Sequence, residues 1–178
     1  MDWRNNVEKI KLEPLTENDT ERFVRDNQEA FRFGAMEEFG PRYDHTDEDG
    51  EIISEKCILS AIRSGAAYRI ICKERIVGGL VIKTEGAKGE LLLLFVFPEE
   101  HGKGIGYAAW SEVERMHPEV KLWETATPYF EKRNIHFYVN KCGFHIVEFF
   151  NNHHQGCGCE NEHDGVDDEM FRFEKKIG

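Results

Sequence analysis

The sequence has no long apolar run and fewer cationic than anionic side chains. No stretch of its 178 residues approaches the roughly 18 apolar residues of a membrane span, and MDWRNNVEKIKLEPL lacks the apolar core of a signal peptide. We therefore expect a cytoplasmic protein with no membrane partner. Lys and Arg number 23 against 34 Asp and Glu, a formal net charge of -11. That balance disfavours nonspecific binding to nucleic acid and favours cationic ligands.

Cysteine is also scarce. Its five residues are odd in number and mostly scattered: Cys57, Cys72, Cys142, Cys157 and Cys159. This is a poor disulfide framework and an ordinary inventory for a reducing compartment. Apolar residues make up 40% of the chain and aromatic residues 12%, which excludes a disordered acidic protein. With no internal repeat and no linker, the sequence predicts a single domain over residues 1–178.

Hydrophobic periodicity and turn residues predict a mixed α/β fold in the order β-α-α-β-β-β-α-β-α-β-β. The first helix has a mainly apolar face that includes Phe23, Asn27 and Ala30. The predicted elements are a strand at 7–12, helices at 17–36 and 51–63, a strand hairpin at 66–86, a buried strand at 91–97, a helix at 104–116, a strand at 121–127, a helix at 128–141, and strands at 144–150 and 170–176.

Several helix ends carry recognisable signals. Thr16 followed by Asp19 three residues later predicts a variant capping box for the first helix. Gly65 and Gly143 are predicted to cap the C-termini of the second and fourth helices, and Pro128 to begin the fourth.

The most informative segment is VFPEEHGKGIGYAAW, residues 96–110, in which a buried strand leads through three alternate glycines into a helix. Unpaired N–H groups and the positive end of a helix dipole make such a loop a site for anions. A Walker loop does not fit, because Lys103 precedes Gly104 and no Ser or Thr follows. The Rossmann fingerprint does not fit either, because the glycines are spaced GxGxG and lie late in the chain.

This segment resembles the phosphate loop of the GNAT superfamily, the acyl-coenzyme-A-dependent N-acetyltransferases, which reads V-x-P-x-x-(Arg/Gln/His)-G-x-G-x-G. The matching residues are Val96, Pro98, His101, Gly102, Gly104 and Gly106. The order of elements is similar over nearly the whole chain, and NxxFYxNKCGF at 134–144 resembles the family's Tyr-x-Lys-x-Gly-Phe. The resemblance implies a central mixed sheet of about seven strands flanked by about four helices.

The resemblance also implies an activity. The family transfers an acetyl group from acetyl-CoA, a co-substrate, to a primary amine by direct attack in a ternary complex, with no metal. Pantetheine then lies along the fourth strand, and loop amides hold the pyrophosphate. The cofactor-binding residues implied are Phe95, Val96, Phe97, His101, Gly102, Lys103, Gly104, Ile105, Gly106 and Asn134.

Two glutamates are candidates for the general base. Glu90 lies eleven residues before His101, the offset of the base in the histone-acetylating branch of the superfamily. Glu124, within LWETAT, lies where the fourth and fifth strands of this family splay around the cofactor. The alternatives are a solvated strand end for Glu90 and a carboxylate that binds a helix terminus for Glu124.

Tyr138 is the candidate acid for the departing thiolate, with Tyr129 a weaker one. Counted from Gly143, the family's tyrosine position falls on Val139, and one residue on a helix is about 100° of rotation. Either the helix end is wound differently, which lets Tyr138 serve, or Tyr138 packs in the core and another group supplies the proton.

A polar insertion at 151–168 contains the tract HHQGCGCENEHD, residues 153–164. Its histidines and cysteines could bind zinc or copper, but CxC is too tight for a usual structural zinc site, so we favour a plain polar loop and expect no metal. Its carboxylates, with those at 44–49, could attract a cationic amine.

Three functions therefore stay open at this level: the N-acetyltransferase, a noncatalytic acyl-CoA-binding regulatory module, and a metal-binding protein that uses residues 153–163. The sequence does not say whether the acceptor is a small-molecule or a peptide amine, nor whether the chain acts as a monomer or a homodimer.

Overall fold

The predicted element order is confirmed in a computed structural model, which describes residues 9–40, 46, 50–151, 154 and 169–178. The strands and helices are β1 (Ile10–Pro14), α1 (Thr20–Phe39), α2 (Glu55–Ser64), β2 (Ala66–Cys72), β3 (Arg75–Glu85), β4 (Lys88–Val96), α3 (Ile105–Met116), β5 (Leu122–Pro128), α4 (Lys132–His136), β6 (His145–Phe150) and β7 (Met170–Lys176). The strands pair in the order β1-β2-β3-β4-β5-β7-β6, which confirms a mixed α/β fold with seven strands.

The described residues divide into two compact units, and β4 contributes to both. The first unit holds the described residues up to Lys83 together with Leu91–Pro118. The second holds Thr84–Glu90 and the described residues from Glu119 onward. The single domain expected over the whole chain stays a prediction. Within the described parts of the chain, no helix is both long and apolar enough to cross a membrane.

In the first unit, α1 and α2 cover the sheet with the apolar faces that the sequence predicts. Phe23 of α1 is fully buried and meets Phe95 of β4 edge to face, with ring centroids 5.1 Å apart. The hairpin turn between β2 and β3 holds Lys73 and Glu74 at φ 49° and 62°. This core is formed by Phe23, Val24, Ala30, Ile58, Val81, Leu93 and Phe95.

In the second unit, β5 runs parallel to the start of β4 and antiparallel to β7, which in turn pairs antiparallel with β6. Alternation along β5 and β7 buries one face of this part of the sheet. Trp123, Phe144 and Phe173 are fully buried there.

The first helix begins where predicted, with a 3-10 turn at Glu17–Asp19 that leads into α1, but its predicted cap and the predicted start of the second helix are wrong. Neither Thr16 nor Asp19 caps with its side chain, because the Asp19 carboxylate accepts a hydrogen bond from Arg69 Nε at 2.5 Å instead. The second helix begins at Glu55 and not at Glu51, since the Ser54 hydroxyl accepts from the Cys57 amide and so provides the cap.

Gly65 is the C-cap of α2, as predicted, and its amide donates to the Ala61 carbonyl. Its backbone is extended, with φ -139°, and a Cβ there would lie 2.3 Å from the Ile82 carbonyl oxygen, so glycine permits this close approach. The other differences concern Pro128 and the first strand. Pro128 ends β5, and the helix begins at Lys132. Gly143 has φ 78° and is the predicted left-handed cap. The first strand is Ile10–Pro14, whereas residues 7 and 8 lie outside the described residues.

Candidate functional site

The glycine loop of the first unit, residues 101–104, has the backbone that its sequence predicts. After β4 a short 3-10 turn, Pro98–Glu100, leads into it, and Gly102 and Gly104 have φ of 77° and 76°. Residues other than glycine rarely adopt this left-handed backbone region, which explains glycine at both positions. A Cβ on Gly102 would meet nothing within 4 Å, so the space beside its Cα is open to a ligand.

The helix α3 begins directly after this loop. Its N-cap is Gly104, which has no side chain that could accept a hydrogen bond from the first amides of the helix. These amides also have no carbonyl partner within the helix. Twelve residues are enough to set up a positive N-terminal end. The loop is therefore suited to bind an anion through its main chain.

The positively charged side chain of the loop, Lys103, forms an ion pair within the protein. Glu100 is buried, and it accepts hydrogen bonds from Lys103 Nζ at 2.8 Å and from Arg75 Nη2 at 3.1 Å. The hydrogen bond from Lys103 lowers the pKa of Glu100 and outweighs the opposite effect of burial. Lys103 thereby anchors the loop, and the main chain carries most of its capacity to bind anions.

The residues at the end of β4 already have contacts within the first unit. The Phe95 side chain lies in the core, and the Phe97 amide donates to the Val77 carbonyl at 2.9 Å. His101 Nε2 lies 2.9 Å from the Val96 carbonyl oxygen, so that nitrogen donates the hydrogen bond. The His101 ring thus links the start of the loop to the last residue of β4.

In the second unit the strand register brings the two candidate bases together. Glu90 pairs with Glu124, Glu124 with Glu174, and Glu174 with His145. Side chains at paired positions project from the same face of a sheet. Glu90, Glu124 and Glu174 therefore form one row across β4, β5 and β7, which we call the carboxylate row.

Arg172 neutralises part of this row. Its Nη1 donates to Glu124 at 2.5 Å and to Glu174 at 2.7 Å, and its Nε donates to Glu148 at 2.7 Å. Hydrogen bonds from His154 and Arg172 lower the pKa of Glu148, and the carboxylates in turn raise the pKa of Arg172. The partner of Glu124 is thus a strand residue rather than a helix terminus.

Sequence reasoning missed Arg172. The alternation of MFRFEKK places Arg172 and Glu174 on one face of β7, which is a signal for a polar face. Their partners on β5 and β6 depend on strand order, which the alternation does not specify.

Tyr138 lies on the opposite face of this part of the sheet. Thr125, which follows Glu124 in β5 and so points to the other face, hydrogen-bonds the Tyr138 side chain. The phenol ring packs against Phe144 and Phe173, with centroids 5.8 and 5.5 Å away, and burial raises the pKa of Tyr138 to about 12. The structure therefore groups Glu90 with Glu124 and separates both from Tyr138.

The helix that carries Tyr138 ends in a π-helical turn, Phe137–Cys142. The Gly143 amide bonds to the Tyr138 carbonyl, five residues back, where an α-helix would close after four. The extra residue accommodates the one-residue displacement of Tyr138 from the family's position. The sequence left two alternatives for Tyr138, a differently wound helix end or a side chain packed in the core. The structure has both features, because the helix ends in a π-helical turn and Tyr138 is buried.

The remaining predictions fall partly outside the described residues. Asn134 Nδ2 donates to Thr127 Oγ1 at 3.2 Å. The tract 153–163, apart from His154, and the acidic stretch 44–49, apart from residue 46, are not described. Over the ranges that are described, no group of three or more His, Cys, Asp or Glu side chains is arranged to hold a metal.

Comparison with known proteins agrees with the family resemblance of the glycine loop. The model of the GNAT acetyltransferase family matches residues 20–144. The uncharacterized protein YrkN of Bacillus subtilis strain 168 is 42% identical over 180 residues, which cover 96% of this chain and 95% of that protein.

Solved structures share the fold at low identity. PaiA N-acetyltransferase from Thermoplasma acidophilum, in complex with coenzyme A, is 19% identical with a TM-score of 0.61 over 95% of this chain and 99% of that one. Ribosomal-protein-S18-alanine N-acetyltransferase from Escherichia coli is 14% identical with a TM-score of 0.63 over 95% and 94%. The family match covers more than half of the sequence, and the resemblance of its glycine loop is confirmed: the chain belongs to the GNAT family of acetyltransferases.

Proposed function

We propose that the protein transfers an acetyl group from acetyl-CoA to a primary amine, by direct attack in a ternary complex. The observation that carries this proposal is the glycine loop, whose two left-handed glycines open directly onto the N-terminus of α3. A pyrophosphate is the anion that such a backbone site accommodates. The protein's own negative charge is no obstacle, because main-chain amides bind the phosphates.

The residues present fit coenzyme A. The open space at Gly102 lets phosphate oxygens approach the main chain, and the amides from His101 to Gly106 would hold them. The end of β4 and the residue that follows it, Phe95 to Phe97, would lie beside the pantetheine. PaiA from Thermoplasma acidophilum, which has the same fold, was solved in complex with coenzyme A.

Glu90 is our choice for the general base. Acetyl-CoA supplies an acyl group already activated as a thioester, so the protein has to remove a proton from the attacking ammonium group and donate one to the leaving sulfur. Glu124 is bound by Arg172 at 2.5 Å, and a carboxylate held by a guanidinium is a poor proton acceptor. We therefore assign proton removal to Glu90, which has the offset from His101 expected of the base, and not to Glu124.

Tyr138 is our choice for the acid, and it would approach the leaving sulfur from the face of the sheet opposite to Glu90, so that base and acid act from opposite sides of the thioester. Its pKa of about 12 means that the phenol carries its proton at every pH at which the enzyme would work. Burial against Phe144 and Phe173 also fixes the ring. The π-helical turn supports this assignment, because such turns are frequent at functional sites.

The base assignment predicts that Glu90→Gln lowers kcat/KM by about a hundredfold, since a general base contributes at least that much. The acidic limb of its pH profile should disappear, while the dissociation constant for acetyl-CoA stays unchanged. Glu85→Gln, on β3, removes the same charge from an exposed residue and is the control. A Glu90→Gln profile that matches the wild type would exclude Glu90 as the base.

Direct attack has its own test. Intact-mass spectrometry of the protein mixed with acetyl-CoA, before any amine is added, should show no acetylated chain; an acetyl-cysteine would indicate a covalent route instead. If coenzyme A binds but no primary amine yields free thiol, the noncatalytic module is the correct reading.

A further inference from the structure

Two members of the carboxylate row, Glu90 and Glu124, are held side by side. They are paired in the register of β4 with β5, and the preceding pair is Gly89 with Trp123. Trp123 is fully buried, and a Cβ on Gly89 would lie 2.4 Å from its ring, so glycine permits this packing. Paired strands lie about 4.8 Å apart. The packing of Trp123 on Gly89 therefore keeps the two carboxylates next to each other on the opposite face.

Neighbouring carboxylates oppose each other's ionisation when no cation compensates them. Such a pair takes up a proton jointly, and the proton then belongs to neither carboxylate alone. It also takes up that proton at a higher pH than an isolated carboxylate does, so less of the base is ionised near neutral pH. For Glu90 to act alone, something in the row has to distinguish it from Glu124.

Arg172 provides this difference. Its guanidinium donates to Glu124 at 2.5 Å and to Glu174 and Glu148 at 2.7 Å each. Within the described residues, Glu90 is the member of the carboxylate row that Arg172 does not bind. A hydrogen bond from a guanidinium stabilises the ionised form of the carboxylate that accepts it. Arg172 therefore favours ionised Glu124 and leaves the proton to Glu90.

Other charged groups lie near the pair and contribute to its electrostatic environment. Lys88 lies two residues before Glu90 and on the same face of β4. Arg172 differs from Lys88 because it forms an ion pair with Glu124 itself. The charged or titratable side chains at this end of β3 and β4 and along the row on β6 and β7, with the residue bound to Glu148, are Lys83, Glu85, Lys88, His145, Glu148, His154, Arg172, Glu174 and Lys176.

We propose that Arg172 assigns proton acceptance to Glu90, by holding Glu124 as an ion-paired carboxylate beside it. The inference rests on the proposed function and adds a residue to the same site. The proton leaves the nitrogen of the attacking ammonium group and passes to a carboxylate oxygen of Glu90, and Arg172 prevents Glu124 from sharing it. Arg172 acts through Glu124, so it is a positioning residue and not a catalytic one.

The variant Arg172→Gln removes the cation and leaves Glu124 as an uncompensated anion beside the base. The acidic limb of the kcat/KM profile should move to higher pH by about one unit, because the base then holds its proton more tightly. The shift should shrink at high salt, since Glu90 is exposed. A rate that falls equally at every pH, with the limb in its wild-type position, would make Arg172 a structural residue and overturn the inference.

Three further variants complete this test. Arg172→Gln with Glu124→Gln removes both charges and should return the limb close to its wild-type position. Arg115→Gln is the control, because it removes a guanidinium that binds Glu112 on α3 at 2.5 Å, and it should leave the limb in place. Glu124→Gln alone should keep the limb. Its disappearance would make Glu124 the base and overturn the inference, even if Arg172→Gln does not fold.

Carboxyl NMR of the free protein, labelled with carbon-13 in its glutamate side chains, separates this inference from the proposed function. In the wild type the Glu90 resonance, identified by its loss in Glu90→Gln, should titrate in one step while that of Glu124 stays at its ionised position. In Arg172→Gln both should titrate together in two steps, as coupled carboxylates do.

These titrations, with no thiol released from acetyl-CoA by any amine, would support the role of Arg172 and overturn the transferase. Joint titration of Glu90 and Glu124 already in the wild type would overturn the inference, even where amines are acetylated.

Discussion

The glycine loop of the first unit and the carboxylate row of the second differ in what their chemistry depends on. In the loop, the main chain does the binding, and the required φ values at Gly102 and Gly104 follow from residues that are neighbours in sequence. In the carboxylate row, Glu90 lies beside Glu124, and Glu124 binds Arg172, only because the strands pair in a particular register. A backbone site is therefore encoded locally, whereas a side-chain site depends on topology.

The largest expected effect concerns the side-chain chemistry of the second unit. Tyr138→Phe should lower kcat by about a hundredfold, because the proton donor is lost while the buried ring stays in place. Stopped-flow measurement of thiol release at saturating substrate gives the value. Tyr129→Phe removes an exposed phenol of the same unit and should change kcat little.

A kcat for Tyr138→Phe within a factor of about two of the wild type would assign the proton to another group or to water. In that case the π-helical turn would serve only to pack Tyr138 against Phe144 and Phe173.

The next test isolates the backbone of the loop. Gly102→Ala and Gly86→Ala each place a Cβ in open space at positive φ, 77° and 58°, so each should lower the free energy of unfolding by about 1 kcal/mol. Only Gly102→Ala should weaken coenzyme A binding, by about tenfold, because only its Cβ fills space at the loop. Equal affinities in the two variants, measured by calorimetry, would contradict binding through the main chain.

The smallest effect concerns the carboxylate that anchors the loop. Lys103 holds the pKa of Glu100 below its ordinary value of 4.5, so the stability contributed by ionised Glu100 is present above that value and is lost as pH falls through the lowered pKa. Glu100→Gln should therefore lower the free energy of unfolding by about 1 kcal/mol near neutral pH and by nothing in strong acid.

Urea unfolding at several pH values measures this difference. Glu99→Gln, an exposed neighbour without an ion-pair partner among the described residues, is the control and should show no such pH dependence. A stability difference for Glu100→Gln that persists in acid would mean that packing, and not charge, makes Glu100 important.

The sequence predicted the features that depend on neighbouring residues, and it missed those that depend on contacts between distant segments. The strand, the GxGxG spacing and the helix after it are contiguous, and they predicted both the fold and the loop conformation correctly. The end of the fourth helix was harder, because a π-helical turn adds a single residue to an α-helical pattern, and the displaced Tyr138 was the sign of it.

Asn27 and Arg172 show why the rest was out of reach. Asn27 interrupts an apolar helix face, and no sequence pattern reports that its buried amide has no hydrogen-bond partner among the described residues. Arg172 binds carboxylates from β5 and β6 that are distant in sequence. The cap predicted at Thr16 failed for a related reason, since Asp19 makes a tertiary contact with Arg69 instead.

The most direct test of the central claim is to quantify free thiol and acetylated amine in one reaction of the wild-type protein with acetyl-CoA and a primary amine. Mass spectrometry of the amine and a thiol assay on the same sample provide the two quantities. The proposed transfer predicts equal amounts of both, and almost no thiol when the amine is omitted. Thiol release without acetylated amine, or tight coenzyme A binding with neither product, would contradict it.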